Sequence, residues 1–351
     1  MKLQSGKIFV ILLLSGCMLA EKNAGRKSNI FFDNADQLRP SSNSGKDSSF
    51  FKPGEVWYDM NGDTINAHGG GILQVGKKYY WFGEKRGRHA SEGVNVYSSK
   101  DLCHWKFENL ALAPSSDPQS DISEGCVMER PKVIYNAKTR KYVMWFHLEL
   151  KGQGYKAARA AVATSDKVWG PYQFRNSFRP NDHMSRDMTL FVDEDGRAYE
   201  IYSSRENYDM RIVQLSEDFT APTSKDKLIA SDHREAPALF KYQKKYYLIT
   251  SGCTGWKPNQ ANLYVADSLF GGWRLSANPL RGPGSDSTYG GQSTYVLPVA
   301  GKRGAFIFLA DKWDPKNLRN SRYLWLPLQF DQQEPYITWR ENWKLNETKS
   351  F

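Results

Sequence analysis

Glu129-Arg130-Pro131-Lys132-Val133-Ile134-Tyr135, a turn from Asn136 to Lys141, then Tyr142-Val143-Met144-Trp145-Phe146: a polar opening, an apolar strand, a hairpin turn and an aromatic strand. The same order recurs four more times. His68-Gly69-Gly70-Gly71-Ile72-Leu73 leads to Tyr79-Tyr80-Trp81-Phe82, and Asp187-Met188-Thr189-Leu190-Phe191 to Ala198-Tyr199-Glu200-Ile201-Tyr202. Glu235-Ala236-Pro237-Ala238-Leu239-Phe240 leads to Tyr246-Tyr247-Leu248-Ile249, and Gln292-Ser293-Thr294-Tyr295-Val296 to Ala305-Phe306-Ile307-Phe308-Leu309. The turns between them, such as Gln243-Lys244-Lys245 and Asp193 to Arg197, have hairpin composition. A repeat of roughly 50 residues marks an array or a propeller.

A second strand pair follows most copies and ends on an aromatic residue: Val94 to Ser98 with Trp105, Ala160 to Thr164 with Trp169, Leu263 to Ala266 with Trp273, Trp325 to Phe330 with Trp339. The third copy is weakest, since Arg211 to Leu215 leads to Phe219 and no Trp. Four strands per repeat is one propeller blade, so the chain reads as an all-β, five-bladed β-propeller in a single domain over residues 49–346. A content of 40% hydrophobic and 14% aromatic residues, concentrated in short runs, suits pleated, half-buried strands. No heptad or long helical period appears.

Ahead of the propeller lies a targeting segment. Lys2 and Lys7 precede an apolar run from Ile8 to Leu14 that is too short to span a bilayer, and Leu14-Ser15-Gly16-Cys17 resembles the lipobox of a bacterial lipoprotein. That resemblance implies a signal peptide over residues 1–16, lipidation of Cys17 and a flexible Ser, Asn and Lys-rich tether over residues 17–48. The expected location is the bacterial cell envelope, anchored to a membrane and facing the periplasm or the outer surface. An ordinary cleaved signal with a chance cysteine is the alternative.

Loss of residues 1–16 lowers the formal charge from +10 to +8. The Lys and Arg residues are scattered over hairpin turns instead of forming a stripe, which argues against a nucleic-acid partner. Cys103, Cys126 and Cys253 have no metal-ligand spacing and read as lone thiols, with one disulfide open in an oxidising envelope.

In a propeller the inner strands start near the axis, so the openings of the repeats converge: His68, Glu129, Asp187, Glu235 and Gln292. Three crowded carboxylates cannot all stay ionised cheaply, so at least one becomes a general acid. Glycoside cleavage needs that group, together with a second one that activates water. Trp81, Trp145, Trp313 and Trp325 read mainly as blade core, and Trp256, in Thr254-Gly255-Trp256, as a loop residue able to stack on a sugar.

At these positions the chain resembles glycoside hydrolase family 43, and within it the exo-β-1,3-galactanases of subfamily 24. The resemblance rests on Asn66-Ala67-His68-Gly69-Gly70-Gly71, Tyr80-Trp81-Phe82-Gly83-Glu84, Glu129-Arg130-Pro131, Arg186-Asp187-Met188, Glu235-Ala236-Pro237, Ser251-Gly252-Cys253-Thr254-Gly255-Trp256, Gly290-Gly291-Gln292-Ser293 and Ser321-Arg322-Tyr323. It implies Glu235 as the general acid and Asp187 as the group that raises its pKa. The first-blade Asp base of most members is replaced by His68-Gly69-Gly70-Gly71. Gln292 then stands where the nucleophilic water is held, and His68 is the rival base. Glu84, Glu129, His68, Thr254, Gly255 and Trp256 are the expected substrate contacts.

The implied activity is inverting, exo-acting release of galactose from the non-reducing end of β-1,3-galactan, the arabinogalactan backbone. The alternatives are an α-L-arabinofuranosidase or β-xylosidase of the same family and a non-catalytic glycan-binding lipoprotein. No cofactor is expected. An ion at the propeller axis, such as calcium, would be structural.

Overall fold

The structure is a computed structural model and describes residues 49–348 apart from His89. The expected signal peptide, Cys17 and the tether lie outside the described residues.

Five antiparallel blades follow one another along the chain. The first holds β1 (His68–Val75), β2 (Lys78–Arg86), β3 (Ser91–Ser99) and β4 (Lys106–Leu112). The second holds β5 (Val127–Asn136), β6 (Lys141–Glu149), β7 (Arg159–Ser165) and β8 (Gln173–Phe178), and the third β9 (Met188–Val192), β10 (Ala198–Ser204), β11 (Asp209–Leu215) and β12 (Pro222–Ala230). The fourth holds β13 (Arg234–Tyr242), β14 (Lys245–Gly252), β15 (Asn262–Ala266) and β16 (Arg274–Ser276). In the fifth, β17 (Leu280–Arg281) pairs in parallel on the outer edge of an antiparallel run of β18 (Gln292–Pro298), β19 (Phe306–Lys312), β20 (Arg322–Asp331) and β21 (Glu334–Thr338). Among the described strands, the edge strand β17 is the one that the repeats do not announce.

The inner strands pack in a ring, β1 on β5, β5 on β9, β9 on β13, β13 on β18 and β18 on β1. Between successive blades lies one of five apolar clusters, built from the aromatic second strands. Trp81, Trp145 and Trp325 are buried in them, as their place in the strand pattern requires. Among the described residues, no blade borrows a strand from the other end of the chain. The ring closes instead by side-chain packing between blades one and five, where Phe51 bridges Trp343 through paired backbone hydrogen bonds and stacks on its ring at 4.1 Å. Trp343 also donates its indole N–H to the Trp325 carbonyl at 2.8 Å.

Candidate active site

Four of the five inner strands open with a bulge, between His68 and Gly71, Glu129 and Lys132, Glu235 and Ala238, and Ser293 and Tyr295. In three of them the second residue is left-handed: Gly69 at φ 59°, Arg130 at 56° and Ala236 at 57°. Pro131 and Pro237 follow, at points where the interrupted ladder asks for no N–H. The bulge re-aims the side chain before it, which turns Glu129 and Glu235 toward the space above the ring. Gly70 has no room for a side chain in its own bulge, since a Cβ there would sit 2.2 Å from the Phe82 carbonyl oxygen.

A cavity of about 280 Å³ lies at this end, lined by Arg86, Glu129, Arg130, His147, Asp187, Glu235 and Gln292, with Trp256, Trp313 and Tyr155 as aromatic walls. Arg186, Asn207 and Gly255 complete it. Of the expected site residues, Glu129, Asp187, Glu235, Gln292, Gly255 and Trp256 meet here.

Glu235 is the centre of a hydrogen-bond array. Its Oε1 accepts from Gln292 Nε2 at 2.8 Å and its Oε2 from Asn207 Nδ2 at 3.1 Å. Burial and the nearby Asp187 charge raise its pKa from 4.5 to about 7, against the opposing pull of Arg130 and Cys253. Such a carboxyl can hold a proton at neutral pH and give it away. Asp187 is fixed by Arg130, 2.9 Å away, and accepts from the backbone N–H of Ala236 at 3.1 Å, which ties it to the bulge that aims Glu235.

Gln292 is held in one orientation. Its Oε1 accepts from Arg130 Nη2 at 2.5 Å and from Trp313 Nε1 at 2.8 Å, so the opposite flip would set donors against donors. One Nε2 hydrogen goes to Glu235, which leaves the other as a donor.

Glu129 accepts from Arg86 at 2.5 Å and from the Tyr155 hydroxyl at 2.8 Å, and His147 Nδ1 lies 3.2 Å from its second oxygen. Burial alone would raise its pKa. The Arg86 charge and the His147 and Tyr155 hydrogen bonds outweigh that and hold it well below the usual carboxylate range.

Three expected contacts stand elsewhere. His68 is fully buried outside the cavity, stacked on Tyr323 at 5.3 Å, and burial with the Arg86 charge lowers its pKa to about 3, so it is neutral and walled off from any water in the cavity. Glu84 is buried behind Arg86, paired with Arg86 Nε at 2.8 Å and accepting from the Ser91 hydroxyl, and burial pushes its pKa to about 8. It braces the guanidinium instead of meeting a ligand. Thr254 turns its hydroxyl into its own loop, donating to the Lys257 carbonyl and accepting from Asn259, so it shapes the loop that carries Trp256. Trp256 itself is 41% exposed and meets Trp313 edge-on at 5.4 Å.

Arg86, Arg130, His147, Tyr155, Asn207 and Trp313 were not singled out as site residues in the sequence. Two of them had a signal: Arg86 and His147 are polar residues at the ends of aromatic second strands, and Glu129 pairs with His147 in the ladder.

Glu129, His147 and Asp187 offer one ligand atom each within 4.8 Å of one another. The set does not fit a resident cation, because Arg86 and Arg130 already neutralise the two carboxylates and the imidazole faces carboxylates on both sides. Between the inner strands the Lys132 amine, fully buried, donates to the carbonyls of Gly69 and Arg130 at 2.8 and 3.3 Å.

The sequence profile of Glycosyl hydrolases family 43 matches residues 68–306. A solved family 43 β-1,3-galactosidase in complex with galactodeoxynojirimycin is 48% identical, with a TM-score of 0.82 over 84% of this chain and 100% of that one. An exo-β-1,3-galactanase of Phanerochaete chrysosporium, solved with β-1,3-galactotriose, is 36% identical with a TM-score of 0.80, over 85% of this chain and 68% of that one. One from Clostridium thermocellum is 36% identical with a TM-score of 0.79, over 86% of this chain and 68% of that one. Among curated proteins none matches. With the profile running through the inner strands of all five blades, and identity at this level across a shared propeller, the chain belongs to the glycosyl hydrolases of family 43.

Proposed function

We propose that this glycoside hydrolase releases single galactose units, with inversion, from the non-reducing end of β-1,3-galactan. The observation that carries the reading is the Glu235 carboxyl, its pKa raised to about 7, hydrogen-bonded to Gln292 and Asn207 in a cavity of about 280 Å³. That volume is at the small end for ligand pockets, room for about one sugar ring, as exo action requires. The three relatives, a β-1,3-galactosidase and two exo-β-1,3-galactanases, support galactose as that sugar.

In this mechanism Glu235 protonates the leaving oxygen and Asp187 keeps it protonated beforehand. Arg130 orients both Asp187 and Gln292. The free N–H of Gln292 holds the attacking water. Two donors on the amide oxygen, one of them cationic, stabilise negative charge there and so make Nε2–H more acidic. Starting from its protonated form, Glu235 gives its proton to the leaving oxygen as the water held by Gln292 attacks the anomeric carbon; the proton that the water loses goes to solvent, from which Glu235 is reprotonated. Glu129 accepts hydrogen bonds from galactose hydroxyls, and Trp256 stacks on the sugar at the mouth.

We also propose that Cys17 is lipidated after removal of residues 1–16, so that the enzyme works at the envelope on a tether. Its support is the Leu14-Ser15-Gly16-Cys17 pattern. Cys17→Ala should move the protein from the membrane fraction to the soluble one; an unchanged distribution would contradict the anchor.

The activity is tested by following products from debranched β-1,3-galactan alongside aryl arabinofuranoside and xyloside. Galactose as the sole product from the first minutes is expected. Arabinose or xylose would reassign the sugar, and binding with no hydrolysis would remove the enzyme reading.

A further inference from the structure

His147 sits between two carboxylates. Its Nδ1 lies 3.2 Å from Glu129 Oε2 and its Nε2 lies 2.8 Å from Glu149 Oε1. A neutral imidazole has one N–H, so one nitrogen lone pair would face an oxygen lone pair; only the imidazolium makes both contacts attractive. Glu149 is anchored from behind by the Ala158 N–H at 3.0 Å and does not line the cavity.

The pair belongs to an alternating buried chain of charges, Glu149, His147, Glu129 and Arg86, in which no side chain is more than 10% exposed. Tyr155 closes the open side, its hydroxyl on Glu129 and its ring 5.9 Å from the imidazole. Charges at this depth persist only when each is paired, and removal of one strands its neighbours.

We infer that His147 is a positioning residue for sugar recognition: clamped as a cation between Glu149 and Glu129, it keeps Glu129 ionised and aimed into the cavity, so that affinity for the galactose unit depends on it. The inference rests on the function proposed above, with Glu129 as acceptor for sugar hydroxyls. An ionised acceptor forms a charge-assisted hydrogen bond, and a protonated one does not. Burial opposes the cation, but the hydrogen bonds and charges of Glu129 and Glu149 prevail and raise the His147 pKa to about 9.

The test is calorimetric binding of β-1,3-galactotriose, from about pH 5 to about pH 10, in a Glu235→Gln background that does not turn over. The parent should bind evenly up to about pH 8 and weaken above about pH 9, as His147 loses its proton. With His147→Gln added, affinity at neutral pH should fall roughly 10–100-fold, the size of a lost charged hydrogen bond. Its alkaline weakening should vanish, and weakening on the acid side should appear, because Glu129 without the imidazolium takes up a proton more readily. Glu149→Gln, outside the cavity, should move the alkaline weakening to lower pH, and decides the matter where His147→Gln fails to fold. Equal affinity and an unchanged pH profile in the folded variants would overturn the inference. Failure of the wild-type chain to hydrolyse the trisaccharide would instead overturn the proposed function.

Discussion

Glu235→Gln should make the fold more stable while stopping turnover. The folded carboxyl has a pKa of about 7 against 4.5 for its ordinary value, and each pH unit of that difference corresponds to about 1.4 kcal/mol. Between those pH values the folded chain keeps a proton that the unfolded chain has released, so stability falls as pH rises through the window. Above pH 7 the ionised group costs about 3 kcal/mol, and below 4.5 nothing. Glutamine never ionises and escapes the cost. The array adapts: Gln292 still donates to the retained oxygen, and the new amide N–H₂ can face Asn207 Oδ1, which has no hydrogen-bond partner, once the Asn207 amide flips. The net gain should be about 2–3 kcal/mol at pH 8 and close to zero at pH 4.5, a rise in Tm of roughly 4–6 °C at the higher pH for a domain of this size. Thermal unfolding by circular dichroism at the two pH values measures it. A variant no more stable than the parent at pH 8, or one whose advantage does not change with pH, would refute the claim that the site holds this carboxyl against ionisation.

The remaining predictions concern the other roles. The alkaline limb of kcat/KM should fall near pH 7 with the Glu235 proton, and Asp187→Asn should move it to lower pH, with about tenfold less protonated acid above it for each pH unit moved; a limb that stays in place would free Asp187 from that task. Gln292→Ala should lose about 10²–10⁴ of kcat, and azide, which needs no base, should restore cleavage with α-galactosyl azide as product; no rescue would take Gln292 away from the water. Trp256→Ala should raise KM up to about tenfold with kcat little changed. Arg86→Met should destabilise by about 3–5 kcal/mol, since it strands the ionised Glu129 and takes away the partner of Glu84, and urea unfolding with an unchanged midpoint would count against that chain.

The blades were legible because an aromatic second strand is the price of filling the space between neighbouring blades: Trp81 and Trp145 sit there in the first two blades and Phe306 and Phe308 in the fifth. The inward carboxylates were legible for a related reason: a polar residue ahead of an apolar inner strand marks the axis end. What the sequence hid was the second layer. Arg86 sits two residues past Glu84, beyond the Tyr79-Tyr80-Trp81-Phe82 run read as strand, and its reach to Glu129 in the next blade depends on how the blades pack. Arg130 looked like half of an Arg-Pro dipeptide, whereas its left-handed backbone at a bulge sends its side chain to Asp187 and Gln292, two blades that no spacing connects to it. His68 shows the opposite failure. Its phase matches Glu129 and Glu235, but Trp313 and Tyr323 lie against its ring and it is buried out of reach of the cavity. β17 was missed because a two-residue strand carries no pattern.

The measurement closest to the central claim is the anomeric form of the first sugar released from β-1,3-galactan, followed by proton NMR before mutarotation. The account predicts α-galactose alone, as a single-displacement reaction by Glu235 and a Gln292-held water demands. Initial β-galactose, or oligosaccharides in place of the single sugar, would contradict it.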